Sequence, residues 1–186
     1  MASSRLCYID GLSMAKSSFA GVVPLGRLSL EELDKCLTTA IQHLSTQGSA
    51  NKIVIILDGL DFLLACQPSS TSIDSHRMLL ELQTRVHGVI VTCAADSPLL
   101  HSTDASATPL ELEHTTLARG LARQARWLFQ LRPLETGQSR EVSGSVRMNK
   151  GGAWEDTENV NDLGEGEWLF HFRNDGVVKV WGRGEA

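Results

Sequence analysis

Ile53-Val54-Ile55-Ile56-Leu57-Asp58 is a run of five aliphatic residues, four of them β-branched, that ends on a carboxylate. β-Branched side chains pack well on a pleated surface, and an unbroken apolar run suits a strand covered by helices on both faces. Asp58-Gly59 marks the edge of a sheet, and Leu60 to Ala65 continues apolar as far as the breaker-rich Gln67 to Ser72. Upstream, Leu6 to Ile9 is a short apolar run closing on Asp10-Gly11, followed by a connection rich in Gly, Ser and Pro. Ser29-Leu30-Glu31-Glu32 then opens a helix, because a serine and a glutamate three residues apart can each satisfy an orphan amide of the first turn. Leu30, Leu33, Leu37, Ile41 and Leu44 lay one apolar stripe along it, and Gly48 supplies the stop. Downstream, Ile73 to Val86 reads as a helix and His87 to Cys93 as a second buried strand. The order β, α, β, α, β predicts an α/β fold with a mainly parallel sheet and crossover helices.

The remainder of the chain changes character. Thr108-Pro109-Leu110-Glu111 combines a capping threonine, a proline at the first helical position and a glutamate at the third, so a helix starts here and runs to about Gln124. Trp127 to Leu131 is the following strand, with Val142 to Met148 as its antiparallel neighbour. Residues 151–166 are acidic, glycine-containing and aperiodic, which predicts a surface loop. Arg173-Asn174-Asp175-Gly176 between two apolar-rich runs is the clearest hairpin signal in the chain. One domain over residues 1–186 is expected, a parallel α/β core extended by antiparallel C-terminal strands.

With 42% apolar and 21% charged residues over 186 positions, the chain can bury one sizeable core. No stretch approaches the roughly 20 consecutive apolar residues that span a bilayer, and the first residues lack a secretory h-region, so the chain reads as intracellular and without a membrane partner. Cys7, Cys36, Cys66 and Cys93 form no CxxC and have no histidine at ligand spacing; buried reduced thiols are expected rather than zinc or disulfides. A net charge of −5 opposes nucleic-acid binding over the whole surface, but its distribution is uneven. Between Arg119 and Lys150 seven basic residues face two acidic ones, whereas the stretch from Gly151 to Trp168 holds six acidic residues and no basic one.

The apolar run ending at Asp58 has the form of a Walker B element, which delivers a carboxylate to where Mg²⁺ is held. Strands ending in aspartate are also common in α/β proteins with no such task. A working nucleotide site needs, in addition, a glycine-rich loop whose amides cradle phosphate, and no GxxxxGK[ST] is present; Gly11 to Ser17 lacks the glycine before Lys16. Ser143-Gly144-Ser145 is no GxSxG elbow, and the six histidines show no HExxH. Arg119, Arg123 and Arg126 recur at helical spacing. A solvated helix end is the plainer account of them, contact with an acidic neighbour or with RNA phosphate the sharper one. Arg140, Arg147 and Lys150 extend the same basic sector. Trp127 reads as core, and Trp154, in its acidic loop, as an exposed anchor at a partner surface.

Three segments together resemble a known family. They are Ile53 to Leu64; Leu117 to Ala122 with Leu131-Arg132-Pro133-Leu134-Glu135-Thr136-Gly137, Glu141-Val142-Ser143-Gly144 and the double glycine Gly151-Gly152; and Trp168 to Phe170 with Gly176 to Val180. The chain is similar to Elongator complex subunit 6, of the RecA/KaiC group. The resemblance implies a RecA-like three-layer fold, here without the first strand and the phosphate-loop region that precede the segment matched by Leu6 to Asp10. It implies no enzyme activity and no cofactor: a pseudo-ATPase subunit in a hetero-hexameric ring with Elongator subunits 4 and 5, assisting the catalytic subcomplex in modifying the wobble uridine of tRNA, in the cytoplasm and extending to the nucleus. Asp58 becomes a vestige of Walker B, and no metal site is expected. Asp61, Phe62, Leu63, Arg119, Arg123 and Trp154 are candidates for subunit contacts, and Arg140, Arg147 and Lys150 for tRNA. Two other classes stay open: a RecA/KaiC-like ATPase whose phosphate loop lies upstream of Met1, and a free-standing RNA-binding module.

Overall fold

The computed structural model describes residues 6–10, 22–24, 29–46, 52–67, 69–96, 100, 107–134, 141–155 and 164–183. They belong to two compact units, Met1–Gly120 and Leu121–Ala186. The chain is α/β, with parallel and antiparallel pairing segregated along the sequence.

In the first unit, β1 (Tyr8–Asp10) pairs in parallel with β2 (Val22–Pro24). Helix α1 (Leu30–Thr46) starts where the sequence places it, with the Glu32 amide donating to Ser29 Oγ at 3.2 Å, and it buries Leu37 and Ile41 from the middle of the expected stripe. Strand β3 (Val54–Leu57) is followed by α2 (Asp61–Cys66), α3 (Ser72–Gln83) and β4 (Gly88–Val91), and β3 and β4 pair in parallel from Val54↔Gly88 to Leu57↔Val91. Parallel strands need a crossover, and α2 and α3 provide it. Helix α4 (Pro109–Gln124), of which Leu121 to Gln124 belong to the second unit, begins with a complete capping box: Thr108 N donates to Glu111 Oε2 at 2.7 Å, and Glu111 N to Thr108 Oγ1 at 3.3 Å. The core of this unit gathers Ile55 and Leu57 of β3, Leu60, Leu63 and Leu64 around α2, Met78, Leu79 and Leu82 of α3, and Leu117 of α4. Each fully buried leucine contributes roughly 1.5–3 kcal/mol relative to exposure.

Two expectations need correction here. β3 is covered on one face only: Ile55 and Leu57 are buried, but Val54 and Ile56 are 52% and 67% exposed. Alternation sends successive side chains to opposite faces, and a composition that is apolar on both does not by itself recruit a second layer. The cysteines are free thiols, as expected, but none is fully buried and Cys66 is exposed.

The second unit is built on one antiparallel sheet of β5 (Trp127–Arg132), β6 (Gly144–Lys150), β7 (Gly166–Phe172) and β8 (Val178–Gly182), in that order. This four-stranded sheet is larger than either parallel pair, so the pairing differs from one mainly parallel sheet. Antiparallel neighbours need only short reversals, and the β7–β8 turn is of this kind. Gly176 adopts φ +81°, its amide donates to Arg173 O at 3.0 Å, and Arg173 N donates to Val177 O at 3.0 Å. The positive φ is why glycine stands fourth in Arg173-Asn174-Asp175-Gly176.

Candidate functional site

The carboxyl ends of parallel strands are where α/β folds hold ligands, and β3 and β4 end together. Asp58 follows β3 directly and is exposed. Thr92, just after β4, donates its hydroxyl to Asp58 Oδ1 at 2.5 Å and accepts the Gly59 amide at 2.9 Å. The backbone completes the tie: Leu60 N donates to Thr92 O and Thr92 N to Leu57 O, at 3.2 and 2.9 Å. Gly59 turns the chain with φ +72°, which only glycine adopts at no steric cost. The carboxylate at the Walker B position therefore clasps the neighbouring strand. Thr92 carries half of that clasp and was not legible as a partner, because the two residues lie 34 positions apart.

Asp61 sits one turn further on, on α2, and its carboxylate accepts the Ala94 amide at 3.3 Å and lies 3.4 Å from His114 Nε2. His114 is buried, and neither ring nitrogen has a hydrogen-bond partner among the described residues. Burial pushes the Cys93 thiol up, and the Asp61 charge adds to the effect, so Cys93 is held as an unreactive thiol rather than activated as a nucleophile. Among the described residues no three His, Cys, Asp or Glu side chains gather in a way that could hold a metal ion.

Of the other residues proposed for subunit contacts, Phe62 is exposed but Leu63 is 5% exposed and belongs to the core, so Leu63 offers nothing to a neighbour. Helical rotation of about 100° per residue separates the two. Arg119 is exposed and its guanidinium donates to Leu100 O at 2.9 Å; Arg123 is exposed near the end of α4.

In the second unit, Trp154 corrects the expectation of an exposed anchor. It is half-buried, packed edge-on against Trp127 with ring centroids 4.5 Å apart. Lys150 Nζ lies 4.5 Å from its ring centroid and the Arg126 guanidinium 5.9 Å, both within cation–π range. The double glycine puts the tryptophan there. Gly151 N donates to Arg126 O, Gly152 N to Ala122 O and Ala153 N to Ala125 O, at 2.8, 3.0 and 3.1 Å. Of these carbonyls, that of Ala122 is one the last turn of α4 leaves orphaned, and those of Ala125 and Arg126 lie just past the helix end. A Cβ at Gly151 would lie 2.1 Å from Ala125 O, and one at Gly152 2.6 Å from Arg123 O.

The residues proposed for tRNA are not one patch. Arg147 and Lys150 both lie on β6 but three positions apart, so they project from opposite faces of the sheet. Arg147 is exposed on the face it shares with Gln130 and Glu167, opposite it in register, and Lys150 pairs with Trp127 on the other. Arg140 lies outside the described residues, as do Lys16 and Ser17. No helix among the described residues is long and apolar enough to cross a membrane. In comparisons with known proteins, the chain matches no family model and no curated protein.

Proposed function

We propose that this chain is a RecA-like, non-catalytic subunit of the Elongator accessory ring, assembling with Elongator subunits 4 and 5 to support tRNA wobble-uridine modification. The observation that carries the reading is the clasp at the end of β3. Asp58 stands where a Walker B carboxylate would meet a metal–nucleotide, yet its oxygen is engaged by Thr92, whose hydroxyl also takes the adjacent Gly59 amide. A carboxylate used in this way fits a scaffold kept for shape, and it agrees with a sequence without GxxxxGK[ST]. The family-like double glycine has a structural task that suits the same reading, since it closes the end of α4 and seats Trp154.

Co-expression with Elongator subunits 4 and 5 tests the proposal: the three are expected to co-purify in equal amounts, and recovery of this chain without the other two refutes the assembly. The exposure of Asp58 at the end of a parallel strand favours a second reading, a RecA/KaiC-like ATPase completed by an upstream phosphate loop. Magnesium-dependent ATP turnover that is abolished by Asp58→Asn would establish that reading in place of ours.

A further inference from the structure

We propose that Cys7 and Cys36 form a reversible disulfide that ties the first strand of the chain to α1, a redox modification site independent of the ring reading. Chain geometry brings the two residues together. β1 and β2 are parallel and end level, with Asp10 opposite Pro24. Four residues separate Pro24 from Ser29, the cap of α1, so the helix starts near the ends of both strands. A helix that returns over the strands from there reaches Cys36 after seven residues, a rise of about 10 Å. Cys7 lies three residues before Asp10, also about 10 Å back along the strand, so the two cysteines are level. Their facing agrees. Leu6 and Tyr8 are 78% and 59% exposed whereas Cys7 and Ile9 are half-buried, and alternation therefore turns Cys7 to the covered side. On α1, Cys36 stands one turn after Leu33 and beside the buried Leu37, and it is half-buried too.

Electrostatics single out the same pair. Burial pushes the Cys36 thiol up, the Glu32 carboxylate one turn earlier adds to the effect, and so does the Cys7 sulfur. Repulsion between thiolates fades with distance, so Cys7 acts on Cys36 as a near neighbour. The Cys93 thiol, by contrast, answers to burial and to Asp61 and to no cysteine, and Cys66 is exposed. A disulfide carries no charge, so neither burial nor Glu32 opposes the oxidised pair as they oppose a thiolate. The reaction is thiol–disulfide exchange with a low-molecular-weight disulfide such as oxidised glutathione. One cysteine thiolate attacks that disulfide and releases one glutathione; the other cysteine then displaces the second glutathione from the mixed disulfide. The cysteine pair gives up two electrons and two protons, and the small disulfide becomes two thiols. Two strands of three residues make a marginal sheet, and the bond anchors them to a helix of 17.

Equilibrating the full chain in glutathione buffers of graded oxidised-to-reduced ratio, followed by acid quenching, alkylation and peptide mass mapping without reduction, tests the proposal. The expected product is a monomer with one internal link, joining the Cys7 peptide to the Cys36 peptide, and with Cys66 and Cys93 alkylated. In about 8 M urea the same link should need a buffer at least roughly tenfold more oxidising, because only the folded chain holds the two sulfurs together. Linkage then requires the oxidised chain to unfold at a higher urea midpoint than the reduced one. Cys36→Ser should stop at a mixed disulfide on Cys7 and lose that rise in midpoint. The parent decides the matter even where this variant fails to fold. Four alkylated cysteines at every ratio, a link made through Cys66 or Cys93 in the folded chain, or a Cys7–Cys36 link that forms as readily in urea, overturns the proposal.

Discussion

Gly151 and Gly152 show how a short motif can be visible while its reason is not. The pair stands out in the sequence, but only the approach of Ala125 O to within 2.1 Å of a Cβ position explains why no other residue fits. Gly151→Ala is expected to lower stability by about 1–3 kcal/mol, the usual cost of overpacking against backbone that cannot move aside. Tryptophan fluorescence should red-shift with it as Trp154 leaves Trp127, and urea denaturation followed by that signal measures both effects. Gly120 is a milder case: a Cβ there would lie 2.1 Å from His76 Nε2 of α3, the end of a side chain that can turn aside, so a glycine unfavourable in mid-helix makes room for an imidazole. Nothing at residue 120 signals position 76, since close approach is a property of packing. The Asp58–Thr92 clasp is likewise long-range and directly testable. Thr92→Val keeps the shape of the side chain but removes both hydroxyl bonds, and should cost about 1–2 kcal/mol in chemical denaturation. Asp58→Asn, which can still accept from Thr92, should cost less than half of that.

Elements were legible where a local rule carries them. The α4 start at Thr108-Pro109-Leu110-Glu111 and the reversal at Arg173-Asn174-Asp175-Gly176 both depend on residues within four positions, and both form as the chemistry directs. The start of α3 was less visible, because Thr71 lies in a breaker-rich stretch, yet it makes a full capping box with Asp74. The pairing of strands and the covering of their faces depend on distant partners, which is why the exposed side of β3 escaped the apolar run that encodes it. The two boxes predict an acid response. Asp74 is held below the ordinary carboxyl range, first by the Thr71 hydroxyl, and Glu111 first by the Thr108 amide. Groups whose folded values are depressed stabilise fully above the ordinary carboxyl values near pH ~4, and that contribution drains as pH falls through the lowered folded values. Amide exchange in the first turns of α3 and α4 should therefore quicken below about pH 4, after correction for intrinsic rates. Asp74→Asn and Glu111→Gln should each flatten the response in their own helix and leave it intact in the other.

At the scale of the whole chain, the charge asymmetry was plain in the sequence, and its geometry was not. Seven basic residues between Arg119 and Lys150 look like one sector when counted along the chain. Folding distributes them: Arg119 reaches Leu100 O, Arg126 and Lys150 converge on Trp154, and Arg147 projects from the other side of β6. A strand reverses facing at every residue, so linear charge density says little about patch formation once the segment is known to be extended. The consequence is a sharp expectation for tRNA binding by the ring we propose. If a single RNA track crosses this chain, it meets one face of the β5–β8 sheet, and Arg147→Glu and Lys150→Glu cannot both act through lost phosphate contacts. One substitution should weaken binding and lower the slope of log affinity against log salt by about 1, and the other should leave both unchanged. Filter binding at several salt concentrations separates the outcomes. Equal losses in both variants would mean that RNA reaches both faces, and two silent variants would exclude both residues from the contact.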